Sequence, residues 1–328
     1  MPLDPHVQRI VATLSMAPAR DHGTADVQRH RGAFRGLMRL SETGSRVASI
    51  EEREVPGPAG PLAIRVYTPP DASRVPLPGL VYLHGGGFVC GDLDAYDALC
   101  RTLCEETGCR LIAVDYRLAP EHPFPAALQD ALAATFWIVD HAKELDLDPK
   151  RIAIAGDSAG ATLTAVICQT AAQSHPGALA LQLLLCPILD WTAEAISRRH
   201  FGQGYLLDSG VIAWERQCYL SAWPNAEDPH VSPLRATDVC GQPPTYIHAA
   251  EFDPFRDDAK AYAERLQLAG VRVNHTCHRG MVHLFYGLGR VVPYARTAYK
   301  QIGWELRDCL RARAEKGGGC NENCAREA

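Results

Sequence analysis

The sequence predicts an α/β protein in which a mostly parallel central sheet is flanked by helices. Two features of the chain predict this class. Short apolar runs, such as residues 77–84 and 151–158, lack the polar alternation of strands that face water, so we expect them to be buried on both faces. Segments with helical spacing separate these runs, as happens where helices connect neighbouring parallel strands. Of the 328 residues, 47% are hydrophobic, which is enough for a sizeable core.

Residues 1–45 have the spacing of helices rather than strands. Their apolar residues recur three and four positions apart, in one stripe at Val7, Ile10, Val11 and Leu14 and another at Phe34, Leu37 and Met38. Residues 190–235 also lie outside the alternation of strands and helices. We predict that both segments form a helical cap over the carboxyl ends of the strands. The alternative is that the N-terminal helices pack on the back of the sheet.

The predicted α/β core comprises residues 46–189 and 236–315, and the Gly-rich polar segment 316–328 is a predicted flexible tail. Apolar runs bounded by turn residues predict strands at 49–55, 62–67, 77–84, 109–117, 151–158, 179–189, 243–253 and 271–278. Helical spacing between and after these runs predicts helices at 126–142, 161–172, 257–270 and 294–313.

Charge and hydropathy exclude several classes of protein. The chain has 33 Lys and Arg against 38 Asp and Glu, a net charge of −5, so it lacks the basic surface of a nucleic-acid binder. No apolar run reaches the roughly 18 residues of a membrane span. Asp4 and Arg9 interrupt what would be the apolar core of a secretory signal. The twelve cysteines form no CxxC pair, so we expect reduced thiols in a soluble cytoplasmic protein.

The strongest chemical motif is the G-x-S-x-G sequence GDSAG at residues 156–160. It follows the apolar run 152–155 and precedes a helical pattern, which is the context that a nucleophile elbow requires. Its small residues permit a sharp turn that lifts the hydroxyl of Ser158 clear of the sheet. Ser158 is therefore a predicted nucleophile. The alternative is a glycine-rich turn that only packs a strand against a helix.

A second motif, HGGGF at residues 84–88, directly follows a predicted strand. Successive glycines expose consecutive N–H groups, which can bind the oxyanion of a tetrahedral intermediate. A phosphate-binding loop is the competing interpretation, but the chain lacks the G-x-x-x-x-G-K-[ST] and G-x-G-x-x-G spacings. A flexible loop without function is the third. We expect His84 to orient the loop by hydrogen bonding rather than to act as a base.

These motifs together resemble the hormone-sensitive-lipase-like family of α/β-hydrolases, which includes bacterial carboxylesterases. The resemblance rests on HGGGF, on YRLAPEHPFPAAL at residues 116–128 and on GDSAG, the form that marks one subgroup. It extends over about residues 1–312, because the opening MPLDP and residues 190–235 are also similar to the family's cap. It implies the α/β-hydrolase fold and a triad in the chain order Ser, Asp, His.

The residues themselves leave several candidates for the acid and the base of such a triad. They are Glu251, Asp253, Asp257 and Asp258 among the acids, and His275, His278 and His283 among the histidines. The resemblance selects Asp253, because DPFRD is similar to the family's D-P-L-x-D, whose first acid belongs to the triad. It selects His283, because VHLF is similar to the family's H-G-F. Leu284 stands where that motif has glycine, so the pocket beside the histidine is expected to differ in shape.

The resemblance also implies an oxyanion hole and part of a substrate pocket. It assigns the oxyanion hole to the amides of Gly86, Gly87 and Ala159. It places Phe88 and Leu284 beside the substrate, and a plain core phenylalanine is the alternative for Phe88. No metal ion and no organic cofactor is implied.

The predicted function is that of a serine carboxylesterase which hydrolyses short-to-medium acyl esters through an acyl-enzyme intermediate. A roofed pocket should exclude long chains, so the expected optimum is about four to eight carbons. An amide, lactone or N-acyl hydrolase using the same site is the first alternative. A non-catalytic receptor on the same fold is the second, and the presence of His283 disfavours it because the family's receptor lacks the histidine. The expected partners are a small-molecule ester and, for a homodimer, a second copy of the chain, with no nucleic acid.

Overall fold

The computed structural model of the chain describes residues 2–15, 27–41, 45–72 and 76–315. The strands are β1 Ser49–Gly57, β2 Gly60–Thr68, β3 Leu77–Leu83, β4 Arg110–Val114, β5 Leu147–Asp157, β6 Leu181–Leu185, β7 Thr245–Phe252 and β8 Val273–Val282. The α-helices are α1 Pro5–Ser15, α2 Val27–Met38, α3 Asp97–Thr107, α4 Ala126–Asp140, α5 Ala159–Ser174, α6 Ile196–Phe201, α7 Ser209–Tyr219, α8 Arg256–Leu268 and α9 Tyr294–Glu315. Short 3₁₀ turns lie at Ala142–Leu145, Pro233–Arg235 and Phe285–Leu288. The predicted tail 316–328 lies outside the described residues.

The eight strands form one sheet in the order β1-β2-β4-β3-β5-β6-β7-β8. Strand β2 runs antiparallel to β1 and to β4, and all other neighbours are parallel. The predicted α/β class with a mostly parallel sheet is confirmed. Since parallel strands point the same way, the residues that follow β3, β5, β7 and β8 meet at one edge of the sheet, where open α/β sheets bind ligands.

The inner strands of the sheet are buried on both faces, as their apolar runs predict, whereas the edge strand β1 is largely exposed. All five residues of β6 are buried. In β3 successive side chains enter different cores: Leu80 and Tyr82 pack with α3 and α9 on one face, and Val81 and Leu83 pack with α4 and α5 on the other. A strand with two apolar faces gains burial from both, which explains why these segments show no polar alternation. No helix among the described residues is long and apolar enough to cross a membrane.

The two segments outside the α/β alternation contact different parts of the core. The N–H of Asp4, just before α1, donates to the carbonyl of Gly280 in β8 at 3.1 Å. Helix α2 lies closer to the carboxyl edge of the sheet, where Arg31 donates to the carbonyl of Val89 at 2.8 Å. Helix α7 lies over the loop that follows β3. The assignment of these segments to a cap stays a prediction.

Helix α3 is absent from the sequence predictions. The apolar residues of its buried stripe are Leu99, Cys100, Leu103 and Cys104. Cysteine behaves there as a small apolar side chain, so the stripe is recognised only when its cysteines are counted as hydrophobic. Strand β6 is shorter than the predicted 179–189, because the chain turns at Cys186, whose φ is +44°.

Candidate active site

The turn between β5 and α5 holds Ser158 in the sharp bend predicted for a nucleophile elbow. Ser158 has φ +51° and ψ −116°, an unusual conformation for a residue with a side chain. The two flanking glycines are needed because backbone approaches them closely. A Cβ on Gly156 would overlap the backbone of Gly160, and a Cβ on Gly160 would overlap the carbonyl oxygen of Leu83. The elbow thus presents Ser158 at the carboxyl end of the sheet and at the N-terminus of α5.

Two further sequence-predicted residues meet Ser158 at this edge. Asp253 follows β7 and His283 follows β8. The Nε2 of His283 lies 3.0 Å from the Oγ of Ser158, and its Nδ1 lies 2.9 Å from Oδ2 of Asp253. The other carboxylate oxygen of Asp253 accepts a hydrogen bond from the N–H of Phe255 at 2.8 Å, which fixes the carboxylate. The three side chains are therefore joined in one chain of hydrogen bonds and are nearly inaccessible to solvent.

The charge environment favours the protonated form of His283. Burial alone would lower the pKa of this imidazole, but the negative charge and hydrogen bond of Asp253, with smaller contributions from Asp157 and Glu215, raise it above its usual value. A base with a raised pKa accepts a proton from a hydroxyl more readily, and it is neutral only at higher pH.

The HGGGF loop lies beside the elbow. Gly86 and Gly87 have φ values of +112° and +62°, which glycine adopts without strain. The carbonyl of Gly86 accepts hydrogen bonds from the N–H groups of Val89 and Cys90, at 3.0 and 2.8 Å, and closes the loop into a tight turn. Ala159 is the first residue of α5, where N–H groups have no partner within the helix. The loop and the helix N-terminus thus bring the three predicted oxyanion-binding residues to the same edge as Ser158.

A buried carboxylate that the sequence analysis missed joins the elbow to this loop. Oδ1 of Asp157 accepts hydrogen bonds from the hydroxyl of Tyr82 at 2.7 Å and from the N–H of Gly85 at 2.8 Å, and Oδ2 accepts from Tyr96 at 2.9 Å. Burial raises the pKa of Asp157, and the three donors act against that rise. The signal in the sequence was the acid beside the nucleophile, but its partners come from distant elements and only the fold brings them together.

The two predicted pocket residues occupy different surroundings. Phe88 is fully buried and stacks on Tyr219 of α7, with ring centroids 3.7 Å apart and an interplanar angle of 6°. Leu284 directly follows His283 and has a φ of +59°. This left-handed conformation costs a leucine roughly 1–2 kcal/mol and explains why glycine suits the position in related motifs.

Several other acids and histidines considered from the sequence have partners outside this chain of hydrogen bonds. Asp257 accepts a hydrogen bond from the N–H of Ser197 at 2.9 Å, and Asp258 pairs with Arg198 at 2.7 Å, so both hold α6 against α8. His278 lies 3.0 Å from a second buried histidine on β7 and does not reach Ser158. The Nδ1 of His84 donates to the carbonyl of Gly85, and its ring stacks on Tyr116. Burial lowers the pKa of His84 to about 4.

One group of potential metal ligands lies in the described part of the chain. It consists of Cys186, Asp253 and His283, whose ligand atoms lie within 4.8 Å of one another. Both ring nitrogens of His283 are already used by Ser158 and Asp253, so a metal ion there would have to disrupt that hydrogen-bonded chain. The arrangement fits proton transfer better than metal binding.

Comparisons with known proteins agree with this geometry. A family model described as the alpha/beta hydrolase fold matches residues 80–287. The chain is 39% identical over 295 residues to the carboxylic ester hydrolase LipN of Mycobacterium tuberculosis, covering 87% of this chain and 77% of the relative. It is 39% identical over 236 residues to an ethyl acetate hydrolase of Pseudomonas putida, covering 71% and 74%.

Solved structures extend the match to almost the whole chain. A hyperthermophilic esterase from the archaeon Pyrobaculum calidifontis superposes with a TM-score of 0.89 and 34% identity, covering 95% of this chain and all of that one. The predicted α/β-hydrolase fold is therefore confirmed. With the fold, the HGGGF loop and the GDSAG elbow in place, the chain belongs to the hormone-sensitive-lipase-like family of α/β-hydrolases.

Proposed function

We propose that the protein is a carboxylic ester hydrolase in which Ser158, His283 and Asp253 form the catalytic triad. The observation that carries the proposal is the unbroken chain of hydrogen bonds from Ser158 through His283 to Asp253, at 3.0 and 2.9 Å. The relatives named as esterases, which match most of the chain, support the choice of an ester as substrate.

In the first half of the reaction, the Oγ of Ser158 attacks the carbonyl carbon of the ester and His283 takes its proton at Nε2. Asp253 holds the imidazole with its other proton on Nδ1 and stabilises the imidazolium that forms. His283 then gives the proton to the leaving alcohol as the carbon–oxygen bond breaks. The products of this half are the free alcohol and an acyl group bound to Ser158.

The tetrahedral intermediate places negative charge on the former carbonyl oxygen. The N–H groups of Gly86, Gly87 and Ala159 bind this oxyanion, and each such donor contributes about 10²–10³ to the rate. In the second half, His283 takes a proton from water, which attacks the acyl carbon and releases the acid. Ser158 regains its proton, so the cycle leaves the enzyme unchanged and needs no cofactor.

The proposed cap limits the length of the acyl chain. Arg31 of α2 donates to the carbonyls of Val89 and Ala119, at 2.8 and 3.1 Å, and pairs with Glu121 at 2.7 Å. These bonds hold α2 over the loops at the carboxyl edge. We expect an optimum at about four to eight carbons, because each methylene that fits adds about 0.8 kcal/mol and longer chains meet the roof.

The experiment is a series of initial rates on p-nitrophenyl esters from acetate to palmitate, with a p-nitroanilide to detect amidase activity. Ser158→Ala should abolish turnover of every ester. Ser174→Ala, at the exposed C-terminal end of α5, should match the wild type. Arg31→Ala should broaden the chain-length profile, and Arg29→Ala on the exposed side of α2 should not. A wild-type preference for palmitate over butyrate would contradict the proposed roof.

We also propose that the enzyme acts in the cytoplasm, because the ten cysteines of the described residues are all free and seven of them are buried. Cell fractionation tests this location. The family resemblance further predicts a monomer or a homodimer, which light scattering at several protein concentrations distinguishes.

A further inference from the structure

A buried carboxylate that the proposed mechanism does not use lies against the oxyanion loop. Glu215 projects from α7 and is only 7% exposed. Its carboxyl group packs directly on Gly87, so that a methyl group on this glycine would overlap it. One helical turn later, Tyr219 stacks on Phe88. Helix α7 therefore lies across the loop and places the charge of Glu215 beside an amide that is proposed to bind the oxyanion.

The charge of Glu215 is only partly compensated. Its Oε1 lies 3.3 Å from the Nε2 of His30, which is longer than the roughly 2.7–2.9 Å of a charge-assisted hydrogen bond. The neighbouring cation, Arg31, is engaged with Glu121 and with backbone carbonyls. Within the described residues, no lysine or arginine forms an ion pair with Glu215.

A negative charge at this position opposes the hydrolysis of a neutral ester. The transition state puts negative charge next to Gly87, and like charges repel strongly where water is excluded. The charge also acts on the catalytic base. Burial lowers the pKa of His283, whereas the negative charges of Asp253, Asp157 and, to a smaller extent, Glu215 raise it. A cation supplied by the substrate would reverse the repulsion, because it would neutralise Glu215 during the reaction.

Aromatic side chains lie near this carboxylate, on its hydrogen-bond partner His30 and on helix α7. His30 meets the ring of Trp214 edge-on at 4.7 Å, and the stacked rings of Phe88 and Tyr219 lie one turn away along α7. A carboxylate with aromatic rings beside it is the combination that binds ammonium groups in proteins. We propose that Glu215 is a specificity-determining residue that makes the site select esters carrying a cationic nitrogen. The inference rests on the proposed esterase function and names its substrate class.

The test compares esters that differ only in charge. One pair carries the charge on the alcohol, as butyrylcholine and 3,3-dimethylbutyl butyrate. The other carries it on the acid, as the p-nitrophenyl esters of 4-(trimethylammonio)butanoic and 5,5-dimethylhexanoic acid. In at least one pair, the wild type should show a kcat/KM about 10-fold or more higher for the cationic ester. Glu215→Gln should bring that ratio close to one by lowering the cationic rate and raising the neutral rate.

Two variants complete the design. Glu227→Gln removes the same charge from an exposed side chain of the same segment and should leave the ratio as in the wild type. His30→Gln removes the partial compensation and should raise the ratio. Thermal unfolding tests whether each variant is folded. If Glu215→Gln does not fold, the ratio of the wild type and its rise in His30→Gln test the role of Glu215.

The outcomes are distinct. Ratios near one for the wild type in both pairs, or a ratio that Glu215→Gln leaves unchanged, would overturn this inference while the esterase function stands. Failure of the wild type to hydrolyse any of the four esters or p-nitrophenyl butyrate would overturn the proposed function itself.

Discussion

Replacement of Asp157 by asparagine should disturb the alignment of the oxyanion loop and lower kcat. A comparison with a control variant distinguishes this effect from a loss of stability. The carboxylate accepts three hydrogen bonds, from the hydroxyls of Tyr82 and Tyr96 and the N–H of Gly85. An asparagine keeps one acceptor oxygen, which serves Tyr82 and Gly85. It turns an amide N–H toward Tyr96, so the bond from Tyr96 is lost, the other two bonds are made to a neutral acceptor, and the loop loses part of its connection to the elbow.

The size of the effect follows from that one bond. A hydrogen bond to a charged group contributes about 1.5–3 kcal/mol, and each 1.36 kcal/mol of transition-state stabilisation is tenfold in rate. If the loss falls on the position of the oxyanion-binding amides, kcat should fall about 10- to 100-fold while KM changes little. Because the Asp157 charge helps Asp253 to raise the pKa of His283 against the effect of burial, the acid limb of the rate profile should also move to lower pH.

The assay is the pH dependence of kcat and KM on p-nitrophenyl butyrate. The matched control is Asp130→Asn, another fully buried aspartate with three hydrogen bonds, all to Arg117 and away from Ser158. The control should lower the temperature of unfolding and leave kcat within about twofold. Equal losses of kcat in both variants, or an Asp157→Asn enzyme as fast as the wild type, would refute the positioning role.

Three other predictions concern the acid, the base and a second histidine. Asp253→Asn should lower kcat about 10⁴-fold, because it favours the wrong tautomer of His283. Asp257 contacts α6, so Asp257→Asn should lower kcat less than tenfold. Similar losses of kcat in steady-state assays would contradict the assignment of Asp253 to the triad. The protonated ring of His283 cannot accept a proton, and its pKa is raised, so the acid limb of the pH profile of kcat/KM should lie above pH 6.5. A midpoint of that limb below pH 6 would contradict this. Burial lowers the pKa of His278 to about 3, so the unfolded state binds more protons between pH 3 and 6.5. The free energy of unfolding should therefore fall with pH below 6.5 by up to about 1.4 kcal/mol per unit, and His278→Phe should flatten that slope in denaturant titrations.

The parts of the fold that the sequence predicted are those with strong local patterns. The inner parallel strands β3, β4 and β6 are short, apolar and buried, so each can be recognised from its own apolar run, and the sheet contains all three. Helix α3 was missed because half of the apolar residues in its buried stripe are cysteines. The strand predicted at 179–189 was too long, since an apolar run does not reveal that the chain turns at Cys186.

In the candidate site too, the sequence predicts the residues that lie in recognisable local motifs. Ser158, Asp253 and His283 stand in short motifs, each after a strand, and the fold brings them within hydrogen-bonding distance. Glu215 lies in no such motif, and Asp157 lies within GDSAG without any sign there of its partners. Their surroundings come from β3, α3, α2 and the oxyanion loop, far apart in the chain, and a contact of that kind depends on tertiary packing rather than on local sequence.

The reaction of the wild-type enzyme with a fluorophosphonate, followed by peptide mass spectrometry, tests whether Ser158 is the catalytic nucleophile. Such a reagent phosphonylates a serine only where a base activates the hydroxyl and an oxyanion hole binds the phosphonyl oxygen. We expect one adduct per chain, on Ser158, formed in step with the loss of esterase activity and absent from Ser158→Ala. An adduct on another residue, or full activity after Ser158 has been modified, would contradict this role.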